Sequence, residues 1–159
     1  MEAIDTHILL WGQYRRDDTN RPDMVDRCDW LLQNLKSRRI TIMVPSLVLA
    51  EYLVNFSAEE QVAQREVISK NFFIAPFDAL AASITAELFD KKLMESIQQG
   101  SQLTRQAVKS DLKIIATTIA HKAVRFYTDD NHFVSLANGK IIVSSIPEIP
   151  SEQEGLFKE

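Results

Sequence analysis

Short apolar runs alternate along the chain with longer segments in which apolar residues recur every three or four positions. That is the signature of strands separated by helices. Residues 2–4 read as a very short strand ending at Asp5, and over 6–14 the residues Ile8, Leu9 and Trp11 recur at helical spacing before a charged loop over 15–23. A helix is predicted over 23–36. The run Ile40, Thr41, Ile42, Met43, Val44 then reads as a buried strand, closed by Pro45 and Ser46 and feeding a helix over 47–55. Ser57, followed three residues later by Glu60, opens another helix that reaches about residue 69. Residues 72–75 form a third strand stopped by Pro76, and an alanine-rich helix runs over 78–95 to a break at Gly100 and Ser101. A helix over 104–122, a fourth strand over 124–127 and a fifth over 140–143 complete the pattern. Strands separated by helices predict an α/β fold with a parallel sheet covered on both faces. One domain spans 1–146, and the Pro- and Glu-containing segment 147–159 is an acidic tail that frays.

Composition narrows the class. The 159 residues, 45% hydrophobic and 25% charged, are enough to bury about two-thirds of the unfolded chain's surface. No run of about 20 apolar residues is present to span a bilayer, and no basic-then-apolar leader opens the chain, so a cytoplasmic protein without a membrane partner is expected. Cys28 is the single cysteine, which excludes an internal disulfide and a thiolate zinc cage. It shares a stripe with Val25, Leu32 and Leu35 and is expected to fill the core. A net charge of −4 argues against holding nucleic acid by bulk charge. A local basic path remains, because Arg105, Lys109, Lys113, Lys122 and Arg125 stand against the single acid Asp111 over 101–126.

The informative residues are acids in apolar surroundings. Glu51 is the only charged residue between Arg39 and Glu59, flanked by Leu47, Val48, Leu49, Ala50, Tyr52, Leu53 and Val54. A carboxylate in a helix apolar nearly all round needs a cation, a proton or several donors. Asp111 lies at the edge of the stripe formed by Val108, Leu112, Ile115 and Ile119. Asp5 and the pair Asp129 and Asp130 each follow a short apolar strand, and in an open parallel sheet ligands bind at the carboxyl ends of the strands. Each acid alone has an ordinary explanation as a strand end, a cap or a boundary residue. Together they predict one cleft whose mutual repulsion is offset by protons or a divalent cation. Oxygen ligands at that density suit Mg²⁺ or Mn²⁺, and the chemistry implied is phosphoryl transfer to water.

These residues resemble a known family. Asp5-Thr6 before Ile8-Leu9-Leu10, the lone Glu51, the run Lys109-Ser110-Asp111-Leu112-Lys113-Ile114-Ile115-Ala116, and Tyr127-Thr128-Asp129-Asp130-Asn131-His132-Phe133 are similar to the motifs of PIN-domain nucleases, especially VapC-type toxin ribonucleases. The likeness covers roughly residues 4–133, with all four acidic motifs in order. It implies a three-layer α/β/α PIN-like domain with a central parallel sheet, and a Mg²⁺- or Mn²⁺-dependent endoribonuclease acting on single-stranded RNA. It also implies a homodimer and, for toxin members of type II pairs, a small antitoxin partner. Asp5, Glu51, Asp111 and Asp130 match the four catalytic acids, with Asp5, Asp111 and Asp130 as metal ligands and Asp129 as a supporting or alternative acid. Thr6 and Thr128 match hydroxyl positions that steady the acids or the attacking water. His7 and His132 are expected as substrate or structural contacts rather than ligands. Arg15, Arg16, Lys109 and Lys113 are candidates for phosphate contacts on charge and proximity. The alternatives are a non-toxin PIN nuclease acting on structured RNA or DNA, and an inactive PIN module that only binds RNA or protein.

Overall fold

The computed structural model of the chain describes residues 1–16 and 20–150. The centre of the predicted 15–23 loop and the end of the predicted acidic tail lie outside the described residues. The strands are β1 (Glu2–Ile4), β2 (Ile42–Pro45), β3 (Phe73–Ala75), β4 (Arg125–Tyr127) and β5 (Ile142–Ser144). They form one sheet in the order β3-β2-β1-β4-β5, and every neighbouring pair is parallel. Ala3 is the hinge of the register, lying opposite Met43 on one side and Phe126 on the other. The chain leaves β1 in one direction for β2 and β3, then returns across it for β4 and β5. Strand order therefore reverses at β1, and the carboxyl ends of β1 and β4 flank the crevice where open sheets bind ligands.

The short strands hold because they are buried. Every residue of β1 and β2 is buried, and Ala3, Ile4, Met43, Val44 and Phe126 are fully so. Burying a side chain the size of Ile, Val, Met or Phe contributes roughly 1.5–3 kcal/mol, which offsets the few ladder bonds that three-residue strands can make. Parallel pairing needs long return connections, and helices supply them. These are α1 (Thr6–Ile8), which continues as a π-helical segment over Leu9–Gln13, then α2 (Pro22–Ser37), α3 (Ser46–Leu53), α4 (Ala58–Asn71), α5 (Ala79–Leu88), α6 (Lys91–Gly100), α7 (Arg105–Ala120) and α8 (His132–Ala137). Ser57 and Glu60 form the predicted reciprocal cap of α4.

Three local features depart from the sequence pattern. The helix expected over 78–95 is two helices, because Phe89 is extended (ψ 115°) and the Asp90 side chain accepts from Leu93 N to start α6. The segment expected as one helix over 6–14 widens into a π-helix after Ile8. The chain after β4 forms α8, for which no helix was expected; it buries Phe133, Leu136 and Ala137. Helix α7 is the pillar of the fold, packing against α3, α5, α6 and α8 as well as β2. Its polar residues Thr117 and Thr118 are buried and bond back to Lys113 O and Ile115 O, so their hydroxyls carry no unpaired hydrogen into the core. Cys28 is fully buried, as expected of a core filler.

The π segment depends on close approach to α2. A Cβ on Gly12 would lie 2.9 Å from the Cys28 carbonyl carbon and oxygen and 2.9 Å from Leu32 Cδ1. Backbone cannot yield as a flexible side chain can, so Gly12→Ala overpacks this contact. The expected result is a loss of about 1–3 kcal/mol, read as a lower urea midpoint with an unchanged slope. A midpoint equal to wild type would mean that the two segments are free to part.

Candidate metal centre

Asp5 is the first residue after β1 and the N-cap of α1, with extended backbone (φ −91°, ψ 170°). The side chain is therefore thrown over the carboxyl edge of the sheet, where only 4% of the residue is exposed. Its Oδ1 accepts from Thr6 N at 2.7 Å, and its Oδ2 accepts from Thr128 Oγ1 at 2.7 Å. Thr128, buried just beyond β4, also accepts from the Asp130 backbone N at 3.1 Å. One hydroxyl thus ties the ends of the two central strands together and fixes the turn that carries Asp130.

That turn brings three candidate ligands into one place. Asp5, His7 and Asp130 each offer one atom, and these atoms all lie within 4.8 Å of one another. His7 stacks on Trp11 with ring centroids 4.9 Å apart and planes 17° from parallel, which fixes the imidazole plane. Its Nδ1 is buried with no hydrogen-bond partner. Buried polar atoms are paired in nearly all native structures, so an orphaned imidazole nitrogen beside two carboxylates fits a divalent cation. Two carboxylates and one imidazole could hold a divalent cation; the carboxylate oxygens suit Mg²⁺ or Mn²⁺, whereas the imidazole nitrogen is a donor more typical of later transition metals. Burial pushes the Asp5 carboxyl up to about 6; the bonds from Thr128 and Thr6 and the charge of His7 work against that rise, and the charge of Asp130 adds to it.

The other two acids approach from separate helices. Glu51, on α3, accepts from Thr6 Oγ1 at 2.8 Å through Oε2 and from Ser110 Oγ at 3.4 Å through Oε1. Thr6 therefore serves two acids, its amide facing Asp5 and its hydroxyl Glu51. Asp111 Oδ2, on α7, lies 2.8 Å from His132 Nε2, and both side chains are largely buried, at 16% and 15% exposure. Burial pulls the His132 imidazole down, but the hydrogen bond and charge of Asp111, followed by the charges of Asp130 and Asp5, push it up on balance.

The remaining sequence candidates sort by their partners. Asp129 faces away from this group and pairs with Arg21 Nη1 at 3.2 Å, whereas Asp130 joins Asp5. Arg15 is held by Asp29 at 2.7 Å and Asp26 at 3.4 Å, and Arg16 donates to Asn55 Oδ1 at 3.2 Å. Lys109 and Lys113 are half-buried and enter no ion pair among the described residues. The structure brings Asp5 and Asp130 together with His7 and places Asp111 against His132. His7 was legible as Asp5's neighbour two residues on, and His132 as Asp130's. Ser110 and Arg21 carry no sequence signal beyond their side-chain chemistry.

A parallel sheet that reverses at β1 and is covered by the returning helices makes a three-layer α/β/α fold, with the carboxylates over the sheet's carboxyl edge. Among solved structures the chain is similar to a chain in the crystal structure of VapBC2 from Rickettsia felis bound to a DNA fragment from their promoter. The two share 20% of residues over 91% of this chain and 97% of that one, with a TM-score of 0.57. No protein-family model matches the chain, and no curated protein matches it.

The buried carboxyl sets a pH dependence with a definite sign. Because the folded Asp5 titrates near 6 rather than 3.8, its contribution to stability is fully present below the unfolded value and is lost as pH rises through the folded one. Without added metal, Asp5→Asn is expected to match wild type near pH 4 and to exceed it by about 2–3 kcal/mol at pH 7. Chemical denaturation of both proteins at the two pH values measures this, and equal stability at pH 7 would show that the carboxylate carries no burial cost.

Proposed function

We propose that the protein is a Mg²⁺- or Mn²⁺-dependent endoribonuclease that hydrolyses phosphodiester bonds in single-stranded RNA, as the toxin of a type II toxin–antitoxin pair. The observation that carries the reading is the convergence of Asp5, His7 and Asp130 at the crevice between β1 and β4. In this reading Asp5 and Asp130 hold the cation with His7 beside them. A divalent cation there supplies Lewis acidity toward the phosphodiester and makes water easier to deprotonate. Thr6 and Thr128 fix the Asp5 carboxylate, each on one oxygen. Glu51, steadied by Thr6 and Ser110, completes the anionic pocket and receives the proton of the attacking water. Asp111 closes the pocket from α7 and holds His132 in register.

The toxin role and a small antitoxin partner draw on the likeness to a chain of the VapBC2 complex, and a homodimer is part of the same proposal through the motif resemblance alone. Among the described residues no helix is long and apolar enough to cross a membrane. Phosphate contacts fall to Arg16, Lys109 and Lys113, because two carboxylates already hold Arg15.

The deciding experiment titrates Mn²⁺ or Mg²⁺ into wild type and Asp5→Asn, following melting temperature and cleavage of a single-stranded RNA in the same samples. Wild type is expected to gain stability and to cut; the variant is expected to lose the metal-dependent gain and at least about a hundredfold in rate, since even outer partners of metal ligands carry effects of that size. RNA left intact by wild type with either metal would reject the nuclease reading. A second measurement uses Asp5→Asn as a non-cutting background for RNA binding by anisotropy against salt. Adding Lys109→Ala is expected to flatten the salt slope by roughly 0.7, one single-strand phosphate, while adding Arg15→Ala leaves it unchanged.

A further inference from the structure

Beside the acidic cleft, the end of α6 and the start of α8 flank an open surface cavity of about 330 Å³, lined by Ile97, Gly100, Ser101, Asn131, His132 and Ser135, of which Gly100, Asn131 and Ser135 are exposed. It touches the candidate metal centre through His132, whose Nε2 is engaged with Asp111 at 2.8 Å. One face of the His132 ring stacks on Phe133, with centroids 4.8 Å apart and planes 27° from parallel. The imidazole, whose side chain is 15% exposed, lines the cavity with the part that Asp111 and Phe133 leave uncovered.

Part of the polar lining is open: Ser101 Oγ donates to Ile97 O at 2.6 Å and accepts from Leu103 N at 3.4 Å, whereas Asn131 and Ser135 are exposed. Asn131 stands at the N-cap of α8 yet makes no side-chain cap bond, and among the described residues neither its amide nor the Ser135 hydroxyl is hydrogen-bonded. Ile97 supplies an apolar wall. The lining holds no lysine or arginine, which disfavours a phosphate, and its open donors and acceptors disfavour an aliphatic side chain. A flat ring that stacks on one side and exchanges hydrogen bonds at its edge satisfies all of these surfaces, and unpaired nucleobases are read in this manner. The volume lies at the small end of ligand sites, suited to one ring system.

We infer that this cavity is a base-binding subsite, taking a single unstacked nucleobase next to the scissile phosphate, with Asn131 reading its edge and His132 providing the stacking face. The inference rests on the nuclease reading and adds where its sequence preference arises. His132 and Asn131 follow Asp130 directly, so a base held here places its own phosphate toward the cleft.

Two variants test it. Asn131→Ala removes the edge contacts, and Gly100→Leu fills the cavity, since a Cβ at Gly100 would meet nothing within 4 Å and the fold can accept it. Each is compared with wild type for metal-dependent melting, for kcat and KM on a single-stranded RNA, and for base frequencies at the cut ends of a random-sequence RNA. Asn131→Ala is expected to raise KM roughly three- to tenfold and to flatten base preference at one position flanking the cut. Gly100→Leu is expected to raise KM by at least about tenfold, with the metal-dependent melting shift of wild type retained. Variants that cut with wild-type KM and wild-type preference overturn the subsite and leave the nuclease reading standing. A wild type that cuts no RNA overturns the nuclease reading, and the subsite falls with it.

Discussion

A carboxylate buried where the sheet reverses direction is the constraint around which the molecule is arranged. Asp5 cannot move to water, because it caps α1 immediately after a strand whose three residues are all buried. Ionising it in that position is unfavourable, as its rise to about 6 shows. The chain answers with two donors, the Thr6 amide and the Thr128 hydroxyl, which leave the acid only partly compensated. In the proposed reading a cation bound there would remove a cost that the buried carboxylate already carries.

The other acids avoid adding to that cost by being tied elsewhere. Glu51 receives hydroxyls from both Thr6 and Ser110, so α1, α3 and α7 meet on one carboxylate. Asp111 is matched by His132, an imidazole that the surrounding acids hold toward its charged form. Asp129 is neutralised by Arg21 on the outside. Repulsion in the cleft is thereby confined to Asp5 and Asp130, with His7 as the group beside them. A division of this kind needs residues from both ends of the chain, which is why the parallel sheet, with its long returns, suits the site.

Most of this was legible where chemistry is local. The strands announced themselves as short β-branched or aromatic runs, and the acids that follow β1 and β4 were visible as strand-end residues. Ser57 and Glu60 declared their cap by spacing alone. What escaped depends on tertiary context. The apolar spacing over 78–95 continues through Phe89, so the break before Asp90 has only a capping residue as its signal. Helix α8 is six residues long, below the length at which periodicity identifies a helix, and it exists because Phe133, Leu136 and Ala137 find the core. The π segment comes from fitting Gly12 against α2, a contact between segments that no local pattern encodes. His7 sits in a turn whose partner is the Asp130 loop, and its role follows only once β1 and β4 are neighbours.

Thr128 shows how narrowly the choice between two adjacent acids is made. Its hydroxyl has one proton, and the proton goes to Asp5 Oδ2. The oxygen is then oriented to accept, and it accepts the backbone N–H of Asp130. That second bond, at 3.1 Å, holds the turn after β4. It brings the Asp130 carboxylate in toward Asp5 and leaves Asp129 pointing outward to Arg21. Two neighbouring aspartates of identical chemistry thus acquire different surroundings from the direction of a single hydrogen bond. The same turn sets Asn131 and His132 on the wall of the adjoining cavity, so the acid that joins Asp5 and the residues that line the cavity are positioned by one turn.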